Sequence, residues 1–261
     1  MKGNLFFVVL SLVFAAADVY AQPNIFNPND PIVLYDSTHP PVTPPENTMA
    51  KWVKTTTRIT WNTDKFKSYY WNGMAFRLRY PNNYNPNDAT KKYPVILFFH
   101  GAGEIQPVTD NEDQLFWGAQ PFQAKIDSGQ FNAFLLFPQV STTAWDWFYQ
   151  VKVNSVLDSM QKYCHSDPDR VIAMGLSNGA YASMSFAFNF PTKVATVIGS
   201  SPALIELLQE TQNTTIHIPH WLGSGGIDIS PGPVVMNNYV KPIVEKIVNI
   251  DVSNSFSEVA G

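Results

Sequence analysis

The feature that most constrains this sequence is the pentapeptide Gly-Leu-Ser-Asn-Gly at residues 175–179, which directly follows a short apolar run. This order is typical of a nucleophile elbow, in which a serine stands on a tight turn between a strand and a helix. Side chains at Gly175 and Gly179 would collide with the adjoining strand or helix. The pentapeptide alone does not establish a catalytic Ser177, because ordinary turns also contain it.

The residues around the pentapeptide favour the catalytic interpretation. Residues 167–170 form a polar Asp-Pro-Asp-Arg segment, which predicts a loop before the apolar strand. Ala180, Ala182 and Ser183 are small, so the helix that they open is able to pack closely on a sheet. A loop, a strand, the pentapeptide and a close-packing helix together predict that Ser177 is a nucleophile.

Composition limits the size and the partners of the chain. Its 261 residues, 45% apolar and 15% charged, suit one sizeable α/β domain. A formal net charge of −4 and a pI of about 5.7 provide no basic surface for phosphate backbones, so we expect no nucleic-acid partner. Cys164 is the one cysteine of the sequence, so no disulfide forms within the chain.

The N-terminus has the three parts of a secretory signal peptide. Lys2 supplies the charge, residues 5–17 the apolar core, and residues 19–21 the small-residue cleavage region. We predict cleavage after Ala21 and a secreted or periplasmic protein. A membrane anchor is the weaker interpretation, because the apolar run is shorter than the roughly 20 residues that cross a bilayer. No membrane span is expected in the mature chain.

The chain divides into three predicted segments. Residues 1–21 are the signal peptide, residues 22–57 are an extended lead-in rich in Pro, Asn and Thr, and residues 58–261 are the folded domain. The domain opens with three predicted antiparallel strands, at residues 58–61, 68–71 and 74–80. Asn72 and Gly73, between the last two strands, predict a type I′ hairpin turn.

A glycine-rich turn at residues 100–104, here named the glycine turn, follows a continuously apolar run at residues 95–99. Such a run suits a strand buried on both faces. A turn at its end is able to direct N–H groups at a developing negative charge, as an oxyanion hole requires. The alternative is a turn that only reverses the chain. His100 is expected to be structural rather than a base, because it belongs to the turn.

Polar and aromatic residues follow the next predicted strand, at residues 133–137. Ligands collect beyond the carboxyl ends of strands in open α/β sheets. We therefore predict that Gln139, Trp145 and Trp147 contribute to substrate binding. The alternative is that the aromatic rings pack the following helix into the core.

Asp228 follows a late predicted strand, where the acid of a Ser-Asp-His chain order is expected. As an alternative, Asp228 caps the next helix or holds its own loop. The remaining predicted elements are helices at residues 121–127, 153–164, 203–209 and 236–248, and strands at residues 194–198 and 216–222.

Alternating strands and helices around the serine pentapeptide predict the α/β-hydrolase fold, a mostly parallel central sheet flanked by helices. Over residues 76–228 the chain resembles the secreted esterases related to polyhydroxybutyrate depolymerases and to feruloyl and acetylxylan esterases. The likeness is carried by residues 93–104, 167–171 and 175–179. It implies that Ser177 is the nucleophile and Asp228 the acid. It also implies an oxyanion hole at Gly101, Ala102 and Asn178.

The resemblance also implies a histidine base after the last strand, and residues 229–261 contain no histidine. The five histidines of the sequence are His39, His100, His165, His217 and His220. We therefore expect the 261-residue chain to be an incomplete version of a longer enzyme, with an incomplete C-terminus and little activity. Without the imidazole, the oxyanion hole and binding still give roughly 10³–10⁴-fold catalysis over water.

Three functions remain open from the sequence. The leading one is a secreted serine carboxyl-ester hydrolase that forms an acyl-enzyme with small-molecule or polysaccharide-linked esters, without metal or cofactor. A serine peptidase of the prolyl-oligopeptidase type shares the elbow and the fold. A binding module that has the hydrolase fold without turnover is favoured by the missing histidine.

Overall fold

The computed structural model describes most of the predicted domain and three short pieces of the lead-in. The described residues are 26, 32–34, 49–51, 58–71, 73–108, 110–142, 144–203, 218–225 and 256–259. The predicted signal peptide, the predicted helix at 236–248 and all but the first residue of the predicted helix at 203–209 lie outside them. The same is true of Asn72, Asp228, His39 and His217.

The described strands form one ten-stranded sheet with the order β1-β2-β3-β4-β6-β5-β7-β8-β9-β10. The strands are β1 (Ile32–Leu34), β2 (Met49–Lys51), β3 (Phe66–Trp71), β4 (Met74–Arg79), β5 (Tyr93–Phe99), β6 (Phe134–Pro138), β7 (Ser166–Leu176), β8 (Thr196–Ser200), β9 (His220–Gly225) and β10 (Phe256–Val259). All pairs from β6 through β10 are parallel, and the pairs β2–β3, β3–β4 and β4–β6 are antiparallel. This arrangement confirms the predicted mostly parallel sheet with an antiparallel side.

Helices cover both faces of the sheet. The α-helices in the described part of the chain are α1 (Ala119–Asp127), α2 (Trp147–Tyr163) and α3 (Asn178–Asn189). Alternate side chains of β5 enter two separate apolar clusters: Leu97 and Phe99 pack with residues of α2 and α3, whereas Ile96 and Phe98 pack with residues of α1. The prediction of a strand buried on both faces is confirmed.

The hairpin between β3 and β4 has the predicted two-residue loop, because Trp71 pairs with Met74. Gly73 in this loop has a φ of 79°, a backbone conformation that residues with a side chain rarely adopt. The lead-in contributes two short strands, β1 and β2, and β2 pairs with β3 at the antiparallel edge of the sheet.

The prediction of a strand at residues 58–61 is wrong, because these residues are irregular in the structure. Ile59 is buried in the cluster beside α1, and the Trp61 ring contacts the Phe66 ring edge-on at 5.9 Å. The Arg58 side chain extends to the glycine turn. Contacts with other parts of the chain therefore replace the β-strand hydrogen bonding that the residue types favour.

The segment at residues 167–170 is a bulge within β7 rather than the predicted loop ahead of it. Tyr93 pairs with Ser166 and Val95 pairs with Val171, so four residues of β7 lie opposite one residue of β5. The Asp167 carboxylate accepts hydrogen bonds from the Asp169 amide and from Arg170 Nε, which closes the bulge locally.

Strand β9 begins later than the predicted strand at 216–222 and continues into residues predicted as a loop. Pro219 has no N–H group to donate, and the ladder begins at the next residue, His220. Gly223 pairs with Ser200 of β8 on one side and with Ser257 of β10 on the other. Two neighbouring strands thus extend β9 through the glycine-rich segment.

Transmembrane character is absent from the described helices, none of which has both the length and the apolar composition to cross a bilayer.

Candidate active site

Ser177 lies between the end of β7 and the start of α3, at the carboxyl edge of the parallel strands. Its backbone has φ 55° and ψ −119°, a conformation that costs a residue with a side chain about 1–3 kcal/mol. The Ser177 amide donates to Ser200 O at 2.9 Å, and its carbonyl accepts from the Ala180 and Ala203 amides at 3.0 and 3.2 Å. Bonds to β8 and to α3 therefore hold the strained turn.

Two glycines allow the close approach of β5, β7 and α3 at this turn. A Cβ on Gly179 would lie 2.0 Å from Phe99 O, and a Cβ on Gly175 would lie 2.3 Å from the Gly179 carbonyl carbon. Both obstacles are backbone atoms, which cannot move aside as a flexible side chain does. The predicted steric requirement for glycine at both positions is confirmed.

The glycine turn lies directly beside Ser177. A Cβ on Gly101 would lie 3.7 Å from Ser177 Cβ and 3.4 Å from Leu176 O. Residues Ala102–Glu104 form a single 3₁₀ turn. Asn178 is the first residue of α3, so its amide has no intrahelical acceptor. The structure brings together Gly101, Ala102, Ser177 and Asn178, the residues implied as the nucleophile and the oxyanion hole.

His100 is a buried structural histidine, as predicted. Its Nδ1 donates to Gly101 O at 2.7 Å, and its Nε2 accepts from the Val140 amide at 3.1 Å. Burial lowers the His100 pKa to about 4, and the bond to Gly101 opposes this shift only in part. Both ring nitrogens are engaged in the neutral form, so His100 offers no free nitrogen to the Ser177 hydroxyl.

The other described histidines lie away from Ser177. His165 immediately precedes β7, at the end of the strand opposite Ser177, and its Nε2 contacts Pro86 O at 2.9 Å. His220 pairs with Val197 of β8, and Val197 pairs with Ala173 of β7. Ala173 lies four positions before Ser177, so His220 is level with a point about 13 Å back along β7. Burial lowers the His220 pKa to about 4.

Trp145 lies beneath the glycine turn and is only 1% exposed. Its indole Nε1 donates to His100 O at 3.1 Å, and its ring centre lies 4.9 Å from the centres of the Phe99 and His100 rings. The ring has almost no exposed surface with which to make the substrate contact that we predicted from the sequence. Its position is that of the alternative, a ring packed in the core.

Trp147 is 60% exposed and begins α2. Its ring stacks on the Phe190 ring, with centres 5.4 Å apart and planes 8° apart. Phe190 directly follows α3 and lies 13 positions after Ser177. Because a helix rises 1.5 Å per residue, Phe190 lies about 20 Å from Ser177 along α3, and Trp147 lies beside that distant end of the helix.

Gln139 follows β6 and is 1% exposed. Its Nε2 donates to the carbonyls of Gln106 and Asp110 at 3.2 and 2.9 Å. Gln139 therefore holds the loop that follows the glycine turn, and it has almost no surface for direct contact with a ligand.

Sequence reasoning missed Arg58 and Glu104, whose side chains form an ion pair at 2.8 Å beside the glycine turn. The two residues are 46 positions apart, and the sequence pattern predicts a strand at Arg58. No local pattern links residues at such a separation, so only the folded arrangement reveals the pair.

The sequence matches no family model and no curated protein. Similarity is found among solved structures. A thermostable esterase has a TM-score of 0.60 and 23% identity, over 76% of this chain and 55% of that chain. The chain thus spans about half of that esterase. An S-formylglutathione hydrolase from Staphylococcus aureus has a TM-score of 0.53 and 13% identity, over 74% and 86% of the two chains.

An enterobactin esterase from Shigella flexneri has a TM-score of 0.52 and 14% identity, over 72% of this chain and 50% of that chain. At these identities the likeness shows the fold. The sheet order, the serine turn between β7 and α3 and the solved structures agree on one conclusion: the chain has the α/β-hydrolase fold.

Proposed function

We propose that this chain is a serine carboxyl-ester hydrolase. Ser177 attacks the ester carbonyl, its oxygen forms the acyl-enzyme bond, and the alcohol leaves with the proton that the serine hydroxyl has lost. Water then attacks the acyl-enzyme, the carboxylic acid is released, and Ser177 regains its proton. The amides of Ala102 and Asn178 stabilise the oxyanion of the tetrahedral intermediate. The observation that carries the proposal is the position of Ser177, strained at a positive φ and directly beside Gly101.

The proposed acid of the reaction lies outside the described residues, and no described histidine is placed to act as its base. Asp228 remains the proposed acid on the grounds of chain order. His100 is unsuitable as the base, because its two nitrogens are already used inside the turn. The other two described histidines lie away from Ser177, so the proposed histidine base is not among the three histidines that the structure describes.

The proposed substrates are small-molecule esters and esters linked to polysaccharides. Esterases occur among the solved structures of the same fold, and we take an ester as the substrate. The polysaccharide part rests on the resemblance to feruloyl and acetylxylan esterases and on Trp147, an exposed flat ring that we propose as an outlying contact for a sugar chain. Secretion, proposed from the N-terminal sequence, would place the protein with such polymers.

A binding module without turnover is the second candidate function. It is favoured by the state of the three described histidines, none of which offers a free ring nitrogen at Ser177. In such a module the serine turn is kept, and the serine hydroxyl has no partner to remove its proton.

Labelling with a fluorophosphonate probe separates the two candidates, because an activated serine reacts and an unassisted hydroxyl hardly does. The hydrolase requires labelling of the full chain and its loss in Ser177→Ala at an unchanged thermal midpoint. Assays with p-nitrophenyl acetate, methyl ferulate and a proline-linked peptide anilide then identify the substrate class. Cleavage of the anilide alone would contradict ester hydrolysis, and an unlabelled chain would favour the binding module.

A further inference from the structure

The middle of the glycine turn has little packing of its own. Ala102 and Gly103 are exposed, and a Cβ on Gly103 would meet no atom within 4 Å. Inside the turn, the Glu104 amide donates to Gly101 O at 3.3 Å and the Ile105 amide donates to Ala102 O at 3.4 Å, both long for hydrogen bonds. The Ala102 amide shares its peptide plane with Gly101 O, which accepts from His100 Nδ1 at 2.7 Å, so His100 holds the inner side of the turn while its exposed middle has no packing that does the same.

Arg58 holds the outer side of the turn. Its Nη1 donates to Gly103 O at 2.8 Å, and its Nη2 donates to Glu104 Oε1 at 2.8 Å. Because the guanidinium group is planar and rigid, two bonds to successive residues fix both the distance and the orientation of this segment.

The Arg58 side chain is itself held by its surroundings. Its Cζ lies 4.0 Å from the centre of the Phe116 ring, and its Nη1 lies 3.8 Å from Asp113 Oδ2. The Glu104 and Asp113 side chains are each 3% exposed, whereas that of Arg58 is 34% exposed. One arginine thus compensates two buried carboxylates while it binds the turn.

Glu104 connects Arg58 to the serine side of the turn. Its Oε2 lies 3.1 Å from the place that a Cβ would take on Gly101, and Ser177 Cβ lies 3.7 Å from the same place. The Glu104 carboxylate therefore lies beside Gly101, close to the side of the turn that adjoins Ser177.

We propose that Arg58 is a positioning residue for the reaction at Ser177: through Gly103 and Glu104 it holds the outer side of the turn, and with the His100 bond to Gly101 O it fixes the direction of the Ala102 amide. This inference rests on the proposed ester hydrolysis. The described contacts of Arg58 are with Gly103, Glu104, Asp113 and Phe116, so we infer that it acts through the turn. Its loss should slow attack by Ser177 and leave substrate binding almost unchanged, because an oxyanion donor acts mainly in the transition state.

The test compares Arg58→Met and Arg58→Lys with a matched control, Arg170→Met. Arg170 also binds one carboxylate and one carbonyl, Asp167 Oδ2 at 2.7 Å and Lys92 O at 2.9 Å, near the start of β7. With p-nitrophenyl acetate, we expect Arg58→Met to lower kcat about 10- to 100-fold, with KM within about twofold. Arg58→Lys should be intermediate, since an ammonium group retains the charge without the planar fork.

The control should keep the kcat of the unchanged protein, and the same ranking should appear in the rate of fluorophosphonate labelling. A kcat for Arg58→Met equal to that of Arg170→Met would overturn the inference. If Arg58→Met does not fold, Arg58→Lys is judged by the same comparison, with its thermal midpoint as the measure of folding.

If the unchanged chain neither hydrolyses esters nor reacts with the probe, the proposed function fails, and amide hydrogen exchange still decides on Arg58. Exchange at the Glu104 and Ile105 amides should then be at least about 10-fold faster in Arg58→Met than in Arg170→Met. Equal exchange rates at these two amides would show that Arg58 does not position the turn.

Discussion

The serine turn and the glycine turn lie side by side but are held by different interactions. At the serine turn, Gly175 and Gly179 allow backbone atoms of β5, β7 and α3 to approach so closely that no side chain fits between them. At the glycine turn, the exposed middle is held by polar contacts from residues far along the chain, Arg58 on one side and Trp145, through His100, on the other.

This difference separates two kinds of vulnerability. A steric fit fails with any added atom and does not depend on pH, whereas a set of buried polar contacts is sensitive to protonation and to the loss of a single donor. Variants of the two turns should therefore differ in what they change and by how much.

The largest effect is expected at the serine turn. In Gly179→Ala the new Cβ would lie 2.0 Å from Phe99 O, so we expect the free energy of unfolding to fall by about 4 kcal/mol or more. Urea unfolding or soluble yield measures the loss. Gly103→Ala, at a position where a Cβ meets no atom within 4 Å, is the matched control and should change stability by less than about 1 kcal/mol. Equal losses of stability in the two variants would contradict the conclusion that close backbone contact makes glycine necessary at residue 179.

Acid sensitivity is expected from the glycine turn. The His100 pKa is about 4 in the folded chain and about 6.5 when unfolded, so below pH 6.5 the unfolded state binds the extra proton. Stability therefore falls as the pH falls, by about 1.5 kcal/mol between pH 6.5 and pH 5 for this residue. Urea unfolding at several pH values should show a shallower dependence in His100→Gln. An unchanged pH dependence in that variant would contradict the assignment.

A smaller effect is expected for the indole donor beneath the glycine turn. Trp145→Phe leaves the buried His100 carbonyl without the bond at 3.1 Å, which should cost about 1–2 kcal/mol and slow labelling of Ser177. Trp147→Phe is the matched control, because that ring is 60% exposed, and should stay within about 0.5 kcal/mol. If the two variants are equally stable and equally reactive, Trp145 does not support the turn.

The smallest effect has the opposite sign. Ser177→Gly should stabilise the chain by about 1 kcal/mol, because glycine relieves the strain at φ 55° and loses part of that gain through its freer unfolded state. Thermal unfolding provides the measurement. Asn83→Gly is the control: Asn83 has φ 57°, a conformation that asparagine tolerates, so its change should be near zero. If Ser177→Gly is less stable than the unchanged protein, contacts of the serine side chain contribute more to the stability of this turn than the backbone strain costs.

Much of the sheet could be predicted from local patterns. The continuous apolar run of β5, the two-residue hairpin at Gly73 and the glycine spacing around Ser177 each express a requirement within a few residues of sequence. The errors fall where partners are distant. Residues 58–61 have strand-like types and are irregular, and β9 extends into a glycine-rich segment because β8 and β10 pair with it.

The sequence by itself determined the α/β alternation, the buried central strand and the serine turn, because hydrophobic periodicity and steric limits at glycine act over short stretches. Only the tertiary structure decided that Arg58 binds the glycine turn, that Trp145 is buried beneath it, and that Trp147 lies at the far end of α3. These positions depend on which distant surfaces meet when β5, β7 and α3 pack together, and residue type alone does not encode that choice.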